Sequence, residues 1–278
     1  MTRSPGARAL QALRWIVFLV AVVVLNLPLI GTFFTSFKTT ADINAFPPVW
    51  LFVPTLDHYE EVLFAGNTDY LLNIFNSIAI AAIGTAVAIV LCLPAAYSIV
   101  RFRMGASWLL PIVTNIRALP LIIFAIPFYF MYQLFGLLDT RLGLGLIMAV
   151  INIPLALVML VAFLQDIPNE LDEAAKVDGA STVRILVSII TPVALPVLTA
   201  VAMLSFIYSW NEFLFGLILT TKNAVPVTVG ATFFVTSYGV KWGPTAAAMV
   251  LGVLPPLILG LFAYPYIGRA MLGGAVKG

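Results

Sequence analysis

Glu173, Ala174, Ala175, Asp178 and Gly179 stand together in a polar stretch, Gln165 to Arg184, of an otherwise apolar chain. Carboxylates and small residues at helical spacing permit two readings. A short helix can dock in a protein groove, where alanines allow close approach and a charged rim fixes register, or the same pattern can be a solvated connector. Two isolated charges lie inside long apolar runs. Arg117 falls roughly 16 Å into one of them at about 1.5 Å per residue, near a bilayer midplane. A charge at that depth is costly and must face a bundle interior or water. Its guanidinium has three uses open to it: contact with substrate or a gate, a salt bridge between helices, or snorkelling to the interface. Contact with substrate would favour a carboxylate, phosphate or sulfonate, or several hydroxyls. Glu212 lies late in the other run beside Trp210 and Asn211. An aromatic face, an amide and a carboxylate can stack on and hydrogen-bond a sugar, whereas Trp210 alone equally suits an interfacial belt. Arg117 and Glu212 differ in depth, so a direct pair between them requires tilted or unwound spans. Phe128, Tyr129 and Phe130 read as packing.

The remaining reactive residues are few. His58, beside Asp57 and Glu60, reads as a surface histidine, and Cys92 has no second cysteine to pair with. A disulfide framework and a thiolate metal cage are thereby excluded, and no nucleophile has a base beside it, which leaves an intramembrane enzyme without a site. No Gly-x-x-x-x-Gly-Lys-Ser/Thr loop is present to cradle nucleotide phosphates. A formal net charge of +2 is too small and dispersed for a nucleic-acid surface.

The elements that must hold these residues are legible from the solvent the chain demands. Of 278 residues, 62% are hydrophobic and 9% charged, with a mean hydropathy of +1.08, so lipid covers much of the surface. Uncharged windows run over 15–37, 70–100, 142–165 and 242–268, and stretches 104–138 and 185–221 are each broken by one charge, Arg117 or Glu212. About 20 apolar residues cross the hydrocarbon core, so six spans are expected. Backbone groups in hydrocarbon must be satisfied within a segment, so the fold expected is an all-α membrane bundle. No cleavage site follows the first apolar run, which reads as an uncleaved span. With both termini cytoplasmic, inside segments hold Arg3, Arg8, Arg14, Arg101, Arg103, Lys176, Arg184, Arg269 and Lys277, against Lys38, Arg141, Lys222 and Lys241 outside. That distribution follows the positive-inside bias. The division expected is a cytoplasmic segment 1–14, a transmembrane domain 15–268 and a cytoplasmic tail 269–278. External loops cover 38–69 and 221–243, and a cytoplasmic segment covers 166–184. Prolines at 28, 94, 111, 120, 127, 154, 192, 196, 255 and 256 favour bends, which suit a moving pathway and are also common in membrane helices generally.

Loop 38–69, with Phe46, Pro47, Pro48 and Trp50, is too apolar for a disordered linker and is expected to carry structure. In 166–184, Pro168 suits a first helical turn, Glu170, Asp172 and Glu173 place negative charge at the positive end of the dipole, and Gly179 supplies a stop. On a helical wheel Leu171, Ala174, Ala175 and Asp178 share one side, and Glu170, Glu173 and Val177 another.

Glu173-Ala174-Ala175, three residues, Gly179, then Ile189 and Pro192 reproduce the spacing of the EAA signature, with Thr191 where that pattern has Leu. The chain resembles the permease subunits of ABC importers. Asn76-Ser77, Ala95-Ala96-Tyr97 ahead of Arg101-Phe102, Ile126-Pro127, the run from Gly136 to Thr140, Trp210 to Phe213 and the terminal Gly274 to Gly278 are similar to the carbohydrate branch. Within that branch the likeness is to the smaller permease partner of maltose and glycerol-phosphate type systems, over roughly residues 15–278. This resemblance implies a six-span permease of the type I ABC importer kind in the bacterial inner membrane. It implies that Glu173, Ala174, Ala175, Asp178 and Gly179 meet a cytoplasmic ATPase dimer carrying the ATP and magnesium, with no cofactor in this chain. It also implies a second, homologous permease subunit and an external or periplasmic solute-binding protein as partners. A secondary transporter or channel subunit for small polar solutes is the rival reading. Inverted halves with matching broken helices would mark the secondary transporter, and the chain shows no such symmetry.

Overall fold

The computed structural model describes residues 5–65, 69–116 and 118–275. In chain order the main helices are α1 (Pro5–Ser36), α2 (Tyr70–Phe102), α3 (Leu109–Ile116), α4 (Ile122–Phe135), α5 (Arg141–Gln165), α6 (Glu170–Val177), α7 (Thr182–Val193), α8 (Leu195–Trp210), α9 (Leu214–Leu219) and α10 (Trp242–Ala275). Residues β1 (Val235–Thr236) and β2 (Gly239–Val240) form a two-stranded antiparallel hairpin, which the all-α expectation did not include. The chain divides into two compact units, one of 1–69 with 231–251 and one of 70–230 with 252–278.

Among the described residues, four helices contain a stretch long and apolar enough to cross a membrane: Leu13–Ser36, Tyr70–Phe102, Arg141–Gln165 and Trp242–Phe262. These are the four uncharged windows. The two interrupted windows behave differently. The third is divided into α3, of 8 residues, and α4, of 14, so no single helix there reaches spanning length. Pro120 stands just before α4, where it disfavours helical backbone in the residue ahead of it. The fifth window bends by 78° between α7 and α8, giving a fifth span if the bent pair is counted as one.

The bend has a local cause. Pro192 and Pro196 flank Ala194 and remove two backbone donors, while Leu186–Ile190 is wound as a π-helix, a single-turn bulge of the kind that kinks helices. The Thr191 hydroxyl donates to the Leu186 carbonyl at 2.7 Å, a bond that the leucine expected at this position could not make.

In the larger unit α2 and α5 pack along their lengths and α8 lies against both. A Cβ added at Gly84 would come within 2.5 Å of Met148 Cβ, and one at Gly145 within 2.6 Å of Ile83 Cγ2. Small residues let backbones approach closely enough for dispersion to hold helices together in lipid. One core cluster joins Cys92, Tyr97, Leu157, Leu160, Ile185 and Val201 at one end of these helices. A second joins Ile80, Tyr132, Met148 and Phe215 toward the other, with Phe128 packed on it at 6.0 Å from the Phe215 ring.

In the smaller unit the connection after α1 carries structure over residues 37–65, as its aromatic content led us to expect. Thr39 caps a short helix, Thr40–Asn44. The Lys38 ammonium donates to the Val49 carbonyl at 2.7 Å and lies over the Phe52 ring at 5.3 Å. His58 is not on the surface. It is 4% exposed, its ring pressed against the Gly243 backbone, because only the fold brings residue 243 to this turn.

Replacing Gly84 or Gly145 with leucine is expected to cost about 1–3 kcal/mol through overpacking. The check is thermal unfolding of detergent-purified protein, in which Gly31→Leu, at a position with open space around it, should leave the midpoint unchanged.

Candidate functional site

Helix α6 is short and depends on its ends. Glu170, Asp172 and Glu173 occupy the first turn and Lys176 the last, charges that complement the helix dipole. Pro168 lies just outside, not in the first turn, and the N-cap Asn169 turns its side chain elsewhere. Gly179, at a left-handed φ of 79°, closes the helix, with the Ala180 amide donating back to the Ala175 carbonyl at 2.9 Å.

Asp172 and Ala175 are buried, whereas Glu170, Leu171, Glu173, Ala174, Val177, Asp178 and Gly179 are exposed. The wheel placed Ala175 with Ala174 and Asp178. The fold separates them, because Ala175 joins the core cluster with Leu164, Ile167 and Ile185. Four of the five residues singled out in this segment, Glu173, Ala174, Asp178 and Gly179, therefore form an open surface, and Ala175 anchors it.

The anchor beside Ala175 is one that sequence reasoning missed. Asp172 Oδ1 accepts from the Tyr97 hydroxyl. Its Oδ2 lies 2.9 Å from Arg101 Nε, the two side chains being 5% and 8% exposed. Neither of those two atoms has a directed hydrogen bond, so their contact is an ion pair. The Arg101 guanidinium also donates to the Ile167 carbonyl at 3.0 Å and to Asn169 Oδ1 at 2.6 Å. Buried charges persist where they are paired and hydrogen-bonded. The available signal was an arginine at the last turn of α2 and an acidic residue in excess of those α6 needs at its rim.

Trp210, Asn211 and Glu212 come together at the end of α8, with their polar atoms bonded to the chain itself. Trp210 is 3% exposed, stacks on Phe206 at 6.0 Å and donates from its indole to the Gly252 carbonyl at 3.1 Å. The Asn211 amide donates to the Ile207 carbonyl at 2.8 Å. Glu212 accepts from the Phe215 amide at 3.1 Å and from Gly216 at 3.4 Å, so its carboxylate caps α9 after the break in the helix. Arg117 lies outside the described residues. Residues around it in sequence, Ile116, Leu119 and Leu121, line an apolar cavity of about 340 Å³ with Phe124, Phe128 and Phe215.

At the opposite end of α5, Asp139 holds a second polar node. Its carboxylate accepts from the backbone amides of Thr221, Lys222, Asn223 and Ala224 at 2.9–3.2 Å. Its own amide donates to the Leu219 carbonyl at 2.8 Å. Asn76 donates to the Asn223 and Val225 carbonyls at 3.1 and 3.0 Å and accepts from Arg141 Nε at 2.6 Å, while Ser77 Oγ accepts from the Val227 amide at 2.7 Å. The segment after α9 is thus tied to α2 and to the α4–α5 turn. No group of three or more potential metal ligands occurs among the described residues.

Residues 88–273 match the family described as "binding-protein-dependent transport system inner membrane component". The sulfoquinovosyl glycerol transport system permease protein of Agrobacterium fabrum is 28% identical, over 99% of this chain and 98% of that one. The trehalose transport system permease protein of Mycobacterium tuberculosis is 34% identical over 91% and 92%, and the trehalose/maltose permease protein of Thermococcus litoralis 32% over 83% and 84%. In fold the chain is similar to a chain of a bacterial ABC transporter that imports alginate, with a TM-score of 0.76 over 97% of this chain and 99% of that one at 21% identity.

Burial opposes ionisation of Asp139, but the amides of Asn223, Thr221, Ala224 and Lys222 outweigh it and bring its pKa down to about 2. A lowered pKa stabilises the folded state above the ordinary carboxylate range, and that contribution is lost as pH falls from about 4 through 2. Asp139→Asn is expected to cost about 1–3 kcal/mol at pH 7. Thermal unfolding at pH 7 and near pH 3 should show the gap to the unaltered protein narrowing at the lower pH.

Proposed function

The chain belongs to the family of binding-protein-dependent transport system inner membrane components, and from that premise we propose that it is a permease subunit of an ATP-driven sugar importer. It forms half of the pathway for a carbohydrate or related polyhydroxy solute, and the second half comes from a homologous permease subunit. Named relatives that carry trehalose, maltose and a sulfoquinovosyl derivative support the solute class. An external binding protein delivers the solute. A dimer of cytoplasmic ATPase subunits, holding ATP and magnesium, supplies the work, and this chain performs no catalysis. It crosses the bacterial inner membrane six times, α3 and α4 together making the short crossing, with both termini cytoplasmic.

The observation that carries this reading is the open face of α6. Glu173, Ala174, Asp178 and Gly179 are exposed while the opposite side of the helix is tied into the bundle by Asp172 and Ala175. A helix that is rigid from below and bare above is a docking element, because little conformational entropy remains to be lost on binding. The open face therefore meets the ATPase, and closure of the ATPase dimer moves the bundle.

Reconstituted uptake should require ATP and the binding protein. Glu173→Arg should lower uptake per ATP hydrolysed about tenfold, while the protein remains folded. Undiminished, ATP-coupled uptake in that variant would remove α6 from the coupling role.

Arg117, the one charge in the apolar run 104–138, is assigned to solute recognition. Arg117→Ala should reduce uptake of an anionic sugar about tenfold more than that of a neutral one, one guanidinium–anion bond being worth about 1.5–3 kcal/mol. Equal losses for the two solutes would withdraw the assignment.

A further inference from the structure

Asp172 is the only carboxylate of α6 that turns inward among Glu170, Asp172 and Glu173. It meets two residues one turn apart at the inner end of α2, Tyr97 by a hydrogen bond and Arg101 by the ion pair. Arg101 also bonds the Ile167 carbonyl and Asn169 side chain, which bridge α5 and α6. Tyr97 and Ala175 belong to the same core cluster, so apolar packing surrounds the polar one.

Helix α6 is 8 residues long, and a free helix of that length is marginal in water. Its attachment to the bundle sets how much of any push on its outer face reaches the spans. Three kinds of bond converge on a single guanidinium, and α2 is the helix against which both α5 and α8 pack.

We infer that the Tyr97–Asp172–Arg101 cluster is the joint that makes α6 and the inner end of α2 move as one body, with Arg101 as the positioning residue that passes ATPase closure to α2. This inference rests on the proposed docking of α6 and adds the path by which motion leaves it. A buried pair serves here better than apolar packing alone, since separating two charges with little access to water is costly, whereas apolar side chains can shift past each other at smaller cost.

The test uses the assembled transporter in proteoliposomes, with ATP hydrolysis and solute uptake measured together and the complex quantified by pull-down of the ATPase. Asp172→Asn removes one charge and leaves Arg101 buried and unpaired, so a loss of folding is a foreseeable outcome. Arg101→Met with Asp172→Leu removes both charges and keeps an apolar filling, so it is expected to retain the fold while abolishing the joint, with recovery of the ATPase complex as the check on folding. In that double variant we expect ATPase recovery within about twofold of normal and ATP hydrolysed per solute raised about five- to tenfold. Tyr97→Phe, which deletes one hydrogen bond and keeps the ion pair, should raise the ratio less, and so should Asp172→Glu, which keeps the charge opposite Arg101. A merely structural cluster would lower uptake and hydrolysis in proportion, and an unchanged ratio in the double variant overturns the joint. Glu173→Arg run alongside separates the two claims. Uncoupling in Glu173→Arg with normal coupling in the double variant defeats the joint alone, whereas normal coupling in Glu173→Arg defeats the docking of α6.

Discussion

Helices in hydrocarbon gain no hydrophobic free energy by meeting one another, so what holds them is close contact between backbones. In this chain that contact is the α2–α5 seam, where Gly84 lies over Met148 and Gly145 over Ile83. The seam sets the separation of two long helices whose ends then carry the two polar nodes built on Arg101 and Asp139. At one end Tyr97 and Arg101 of α2 reach the segment that follows α5. At the other, Asn76 and Ser77 of α2 and Arg141 of α5 meet the loop after α9. A seam wider by one methyl group would displace both ends together.

The two polar nodes use the same physics for different purposes. Each concentrates unsatisfied backbone or charge on a single residue, Asp139 at one and Arg101 at the other. Asp139 is partly exposed and gathers amides of a loop, so it shapes a surface. Arg101 and Asp172 are buried, where unpaired charge is expensive, so their contact resists opening. A loop-shaping node tolerates adjustment. A buried pair tolerates little, which is what a mechanical connection requires.

Between these ends the chain is deliberately discontinuous. The π-wound turn, Pro192, Pro196 and the Thr191 hydroxyl turn α7 away from α8, and Glu212 restarts a helix after the break at Asn211. Irregular backbone at such positions is tolerated where side chains or neighbouring helices satisfy it, and here the Leu186 carbonyl takes the Thr191 hydroxyl while the Phe215 and Gly216 amides take the Glu212 carboxylate. The bends permit segments of one apolar run to lie in different directions, which straight spans would not.

Much of this was legible without coordinates. Uncharged windows located four long helices, because spanning length and apolarity are one-dimensional properties. The spacing of Glu173, Ala174, Ala175 and Gly179 marked a short helix with an unusual surface, because capping and dipole effects act within a few residues. What the linear order could not supply was any contact made across elements. His58 is buried because residue 243 returns to it, Ala175 points away from Ala174 because α5 and α7 close around it, and Asp172 is a joint because Arg101, far off in sequence, ends its helix there. The same holds for Trp210 and Glu212, whose polar atoms are occupied by Gly252 and by the amides of the next helix. Residue type and local spacing determine which groups are able to bond and how a segment winds. Which partner each one finds is decided by packing, since the free energy of burying a polar group depends on what stands opposite it.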